Sequence, residues 1–379
     1  MAQRGLDDLI YVTPEGRLSV RDLLDFFSKK GPLRVSDLHL RVGSPPVYRI
    51  DGDLEPMKTP PLDAATVEAI ARRLLTDEEL ESLQARRSVD ASYLTERMLF
   101  RLNAFHDSDG LALAVRALEP KPPPVEQVGF PNQVWRDILV RQQGLVLVTG
   151  ITGAGKSTTI ASLVTRIAQT RPCRIITLED PIEYRLPSHR AIISQREVGR
   201  DVPDFERGLR DCLREDPDVI FVGEMRDRDS ASWTLTAAET GHLVFSTLHT
   251  RDARGTITRI LDLYPVDRQE EVASQLSLGL SHVISQRLVP RADGKGRCMA
   301  MEILQNTYAV ANLIRVRKTE QLYSVIQTQT RDAPGERMIT LERSLAELAR
   351  AGHVTPNEAQ KWANHPAVFV DEMKRLQAG

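Results

Sequence analysis

The pattern of hydrophobic and polar positions changes rhythm about a third of the way along the chain. In SVRDLLDFFSKKG, over residues 19–31, Leu23, Leu24, Phe26 and Phe27 recur among charges at helical spacing. Ser19 fits an N-cap and Gly31 a stop. DLHLRVG alternates as a half-buried strand does, and VYRIDGDL reads as a strand meeting a turn at Asp51-Gly52. Helical patterns follow around Ala64 to Leu75 and Asp77 to Arg86. LFRLNAF and LALAVRAL are two alternating runs joined by HDSDG, which predicts a hairpin. These elements predict an α+β domain over residues 1–118.

Glu119-Pro-Lys-Pro-Pro-Pro124 interrupts the pattern. Its four prolines continue neither a helix nor a central strand, so 119–124 is read as a stiff linker. Beyond it, strict alternation gives way to short wholly apolar runs: GLVLVTG, CRIITLED, DVIFVGE and HLVFSTLH. Amphipathic stretches such as STTIASLVTRIAQ and FERGLRDCLRE lie between them. That order predicts an α/β domain over 125–379, a mostly parallel sheet with helices on both faces. From about Asp267 to Gly352 the pattern reads as nearly all helical. The tail beyond reads as a helix carrying Trp362 and Phe369, packed on the core or against a partner.

Composition narrows the class. Of 379 residues, 41% are hydrophobic, enough for a buried core. Fifty Lys and Arg balance 52 acids, so no overall charge draws the chain to nucleic acid or anionic lipid. The three cysteines, Cys173, Cys212 and Cys298, form no CxxC pair, which argues against a zinc ribbon or disulfide framework. The first residues lack the apolar stretch of a signal peptide. No apolar run is long enough for a membrane helix, so membrane association is expected only through a partner.

The candidate chemistry gathers where the apolar strands end. Gly150-Ile-Thr152-Gly153-Ala154-Gly155-Lys156-Ser157-Thr158 follows a strand, opens a helix and fits GxxxxGK[ST]. Glycines let successive N–H groups turn inward around phosphate oxygens, and the helix adds its positive end. Lys156 is expected to reach the terminal phosphates of ATP and Ser157 to hold Mg²⁺. Glu224 closes the segment 218–223, whose apolar run starts at Val219, and is a second candidate for Mg²⁺ or for the attacking water. Glu179, at the end of another strand in LEDPIE, is a candidate general base. His242 and His249 flank a further strand and are candidates to sense phosphate or to bridge subunits.

The phosphate loop, EDPIEY, VGEMRD and GHLVFSTLHT together resemble, in order and spacing, the nucleotide boxes of secretion ATPases of the type II and type IV pilus class. The resemblance runs from SDLHLRVGSPP to TLERSLAELARAG and points to the pilus retraction branch. It implies a PAS-like N-terminal domain preceded by an extension over 1–18, a RecA-like ATPase core and a homohexameric ring. It also implies ATP held between the domains, Arg101 and Arg116 as cations closing on its phosphates, Glu179 as the water-activating base and Glu224 at the Walker B position. The implied setting is the cytoplasmic face of the inner membrane. The implied partners are a pilus platform protein and related pilus ATPases, with no nucleic acid. The short N-terminus and the absent zinc cysteines separate the chain from assembly and type II secretion relatives. Retraction enzymes carry a helix close to AIRNLIRE. Here Ala309-Val-Ala311-Asn312-Leu-Ile-Arg315-Val316 keeps the Asn-Leu-Ile-Arg core but departs at Ala311 and Val316. HDSDG also lacks an arginine common at that turn. An accessory paralogue, an assembly or secretion ATPase and a nucleic-acid motor are the alternatives.

Overall fold

The computed structural model describes residues 5–29, 35–50, 53–95, 98–118, 121–332 and 337–378. The expected stop at Gly31 and the turn at Asp51-Gly52 lie outside them. The chain divides into two compact units, one of Met1–Lys121 with Pro181–Arg185, the other of Pro122–Asp180 with Leu186–Gly379.

In the first unit, β1 (Leu9–Thr13) and β2 (Gly16–Ser19) form a small antiparallel ribbon, followed by α1 (Val20–Lys29). Ser19 and Asp22 cap α1 reciprocally: each side chain accepts the other's backbone N–H, at 3.1 and 2.9 Å. β3 (Val35–Arg41), β4 (Val47–Ile50) and β5 (Asp53–Pro56) precede α2 (Ala64–Leu74) and α3 (Asp77–Arg86). β6 (Ser88–Leu94), β7 (Leu99–His106) and β8 (Leu111–Leu118) complete an antiparallel sheet in the order β5-β4-β3-β8-β7-β6. The β7–β8 hairpin turns at HDSDG, where Asp107 accepts from the N–H groups of Asp109 and Gly110. Alternation sends Leu38, Leu40, Phe100, Leu102, Leu113 and Val115 into one core with the helices, around the buried rings of Phe27 and Tyr48.

The second unit opens with α4 (Val134–Val140), β9 (Gly144–Thr149), α5 (Lys156–Thr170), β10 (Arg174–Glu179) and β11 (Ile192–Glu197). Then come α6 (Phe205–Cys212), β12 (Val219–Val222), α7 (Arg228–Glu239), β13 (Leu243–Leu248), α8 (Ala253–Asp262) and α9 (Gln269–Gly279). β14 (Leu280–Pro290) and β15 (Arg297–Gln305) follow, then α10 (Tyr308–Arg315), α11 (Leu322–Asp332), α12 (Leu341–Arg350), α13 (Pro356–Trp362) and α14 (Pro366–Ala378). The seven strands lie in the order β11-β10-β12-β13-β9-β14-β15, parallel except for β15. β9, β12 and β13 are buried at every residue, as strands covered on both faces must be.

The expected fold class holds: an antiparallel α+β unit, then a mixed, mostly parallel α/β unit with C-terminal helices. One expectation within it fails. Residues 267–352 are not nearly all helical, because β14 and β15 are the longest strands of their sheet. Their buried polar residues, including Ser281, His282, Ser285, Gln286 and Glu302, break the apolar runs that would mark strands. The tail packs on the core. Phe369 and Leu376 join Val289, Cys298 and Ala300 of this strand pair in one cluster with Leu341 and Leu345.

Candidate nucleotide site

Parallel strands end together, and so do their candidate side chains. β9 delivers the chain to Gly150, whose φ of 148° and close surroundings both require glycine. A Cβ there would lie 2.6 Å from the carbonyl oxygen of Gln286. Gly153 follows in open space, Thr152 is exposed and Ala154 is buried. Gly155, at φ 84°, leads into α5, whose N-terminus no side chain caps. The first N–H groups of a fifteen-residue helix therefore meet the loop, the arrangement that binds phosphate. Ser157 and Thr158 are half-buried on its first turn.

Lys156 is buried. Its Nζ donates to the carbonyls of Gly150 at 2.9 Å and Ile151 at 3.3 Å and lies 3.4 Å from Nδ1 of His249. His249 follows β13 directly, and its Nε2 is 3.3 Å from Oε1 of Glu224. Glu224 in turn accepts from Arg226 Nε at 2.8 Å, and Arg226 Nη1 reaches Asp180 at 3.3 Å. Four strand ends are thus joined through side chains, from the loop lysine after β9 to Asp180 in the acidic box after β10. The Glu224 carboxylate beside it raises the Arg226 pKa, so this guanidinium stays charged.

Glu179 ends β10, beside β12. Its Oε1 accepts from the hydroxyl of Thr177 at 2.6 Å and from the Gln195 amide at 3.1 Å, which fixes the carboxylate's orientation. The N–H of Gly223 donates to Leu178 at 2.7 Å and keeps the Glu224 turn against this strand end.

His242 lies apart from this group within one chain. It precedes β13, whereas His249 follows it, and six strand residues separate edges of the sheet by about 20 Å. Its Nδ1 instead lies 2.9 Å from the Ala237 carbonyl and 3.1 Å from the Thr240 hydroxyl.

Arg101 and Arg116 lie directly opposite each other on β7 and β8 of the first unit, both exposed. Arg116 pairs with Asp37 at 2.7 Å. Like charges in register oppose each other, and Asp37 offsets part of that repulsion. Burial alone would raise the Asp37 pKa; the Ser36 hydroxyl and Arg116 outweigh it and hold it below the ordinary value.

Sequence reasoning passed over the structural parts of Arg226, Gln195 and Thr177. Arg226 had a signal, two residues beyond Glu224. Gln195 had none, because only strand pairing brings β11 beside β10. On α10, Asn312 accepts from Arg315 at 2.9 Å, and Val316, at the helix end, is half exposed. The departures at Ala311 and Val316 leave the helix itself intact.

Glycine loop, uncapped helix, buried lysine and acidic strand ends define a P-loop ATPase. Residues 34–358 match the family described as type II/IV secretion system protein, and the chain belongs to that family. The chain is 40% identical to the type IV pilus retractation ATPase PilT of Pseudomonas aeruginosa, over 93% of this chain and all of that one. It is 45% identical to the uncharacterized protein YggR of Escherichia coli, over 78% of this chain and 89% of that one. The crystal structure of the pilus retraction motor PilT with bound ADP superposes with a TM-score of 0.85 at 40% identity, covering 93% of this chain and 99% of that one. Among the described residues, no helix is long and apolar enough to cross a membrane.

Proposed function

We propose that this P-loop ATPase hydrolyses ATP to drive retraction of type IV pili, working as a homohexamer on the cytoplasmic side of the membrane. The observation that carries the reading is the full-length similarity to a pilus retractation ATPase, together with a matching ADP-bound fold. A platform protein of the pilus in the inner membrane is the proposed partner.

Lys156 leaves the carbonyls of Gly150 and Ile151 for the β- and γ-phosphates, and the loop amides with the α5 N-terminus take their remaining oxygens. Glu179, held by Thr177 and Gln195, accepts a proton from the water that attacks the γ-phosphorus in line, as the bond from that phosphorus to the β,γ-bridging oxygen breaks and ADP leaves with phosphate as the other product. His249 touches both Lys156 and Glu224, so it registers when the lysine moves. Among the described residues no three His, Cys, Asp or Glu side chains gather to hold a metal by themselves. That suits Mg²⁺, which is bound through one or two protein oxygens and the substrate's phosphates. Ser157 and Glu224 would hold it, and it would neutralise charge developing on the phosphates. Arg101 and Arg116 supply further cations.

The test is a count of surface pili in the source organism carrying Glu224→Gln. Excess pili with lost surface motility are expected. Bald cells would reverse the motor's direction, and unchanged pili would favour an accessory ATPase, the reading to which Ala311 and Val316 lend support. ATPase activity raised by single-stranded DNA would instead revive a nucleic-acid motor.

A further inference from the structure

β14 runs beside β9 on the side away from β13, and the last paired residues are Ser285 and Thr149. One step further, Gln286 lies against the start of the phosphate loop. Its side chain is buried, 1% exposed, and both ends of the amide are used. Nε2 donates to the carbonyl of Ala154 at 2.8 Å, and Oε1 accepts from the Thr159 hydroxyl at 3.1 Å. Ala154 belongs to the loop and Thr159 to the first turns of α5. One amide therefore joins the loop to the helix that follows it. The Gln286 backbone carbonyl also underlies Gly150, and its Nε2 would sit 3.4 Å from a Cβ on Gly155.

Side chains alternate along a strand, so Arg287 faces the other way. It donates to the carbonyl of Trp362 and to Oδ1 of Asn364, between α13 and α14. The same strand thus grips the phosphate loop with one residue and the C-terminal helices with the next.

Glycine loses more backbone freedom on ordering than any other residue, and this loop carries three. Binding is tighter when its amides are held in the phosphate-binding arrangement beforehand. We infer that Gln286 is a positioning residue that braces the phosphate loop from β14, and that Arg287 anchors the brace to the C-terminal helices. The inference rests on the loop binding nucleotide.

The test compares wild type with Gln286→Leu by amide hydrogen exchange of residues 150–156 without nucleotide, by ADP affinity and by thermal unfolding. Loss of the amide leaves the Ala154 carbonyl unpaired, so loop exchange and the ADP Kd should each rise roughly tenfold, with the fold retained. Arg287→Met should shift both the same way by a smaller factor. Exchange and affinity within about twofold of wild type in a folded Gln286→Leu protein would overturn the inference, because a buried pair of hydrogen bonds would then be irrelevant to the loop. If Gln286→Leu does not fold, Thr159→Val removes only the Oε1 bond, and its exchange decides the matter in the same way. A wild type that fails to bind ADP would sink the reading of the loop, while loop exchange would still decide the brace.

Discussion

The two sheets place their charges by different rules. In the antiparallel sheet of the first unit, one face is core and the other carries a row across four strands: Arg49, Asp37, Arg116 and Arg101, each paired in register with the next. In the second unit, β9, β12 and β13 are buried on both faces, and charge is displaced to the strand ends, where Lys156, His249, Glu224, Arg226 and Asp180 meet. A half-covered sheet can display a charge at any register. A doubly covered one leaves only its edges and the loops beyond them.

The largest break in that contrast is expected from Lys156→Ala, which removes the phosphate-loop cation at the strand ends. Its kcat/KM should fall at least about a hundredfold, as losses of a preorganised charge at a phosphoryl centre do. An ATPase assay that finds near-normal turnover would end the strand-end reading. Next, the two histidines flanking β13 mark its two ends. His249→Ala should lower kcat about tenfold, while His242→Ala should leave kcat within about twofold, since within one chain only the former touches the loop lysine. Equal losses in the two variants would mean that the sheet edge does not define the site.

An unpaired and a paired acid sharpen the comparison. Glu302 on β15 is pushed up to about 8 by burial, against an ordinary 4.5; its Oε1 accepts from Ala253 N–H at 2.8 Å. The folded state therefore holds a proton that the unfolded state has lost, and stability present below about 4.5 is lost as pH rises through about 8. Glu302→Gln removes that proton uptake. Its advantage in denaturant melts should grow by on the order of 1 kcal/mol per pH unit inside that window and level off above it. A pH-independent difference would show that burial does not govern this carboxyl. Asp37 behaves oppositely. Its lowered pKa contributes stability above the ordinary 3.8 that is lost as pH falls below it. Because Arg116 is mostly exposed, Arg116→Ala should cost under about 1 kcal/mol in a urea melt at neutral pH. A larger cost would make the pair a structural one, and a loss of ATPase turnover beyond the stability change would support its proposed role on the phosphates.

Local pattern carried much of this protein. The phosphate loop, the acids at 179 and 224, the hairpin at HDSDG and the strands before each box are all contiguous segments. Their signal is short-range: periodicity, glycine placement and a polar residue ending an apolar run. The ribbon of β1 and β2 was passed over because its strands are short, and β14 and β15 because buried serine, histidine and glutamine mimic a polar surface pattern. What only tertiary structure decided are the meetings between segments. Pairing of β10 with β11 brought Gln195 to Glu179, parallel alignment put His249 rather than His242 beside Lys156, and pairing of β14 with β9 set Gln286 under the loop. Each depends on the order and register of strands far apart in the chain. Register is set by the packing of the whole sheet, and no local stretch of residues contains it.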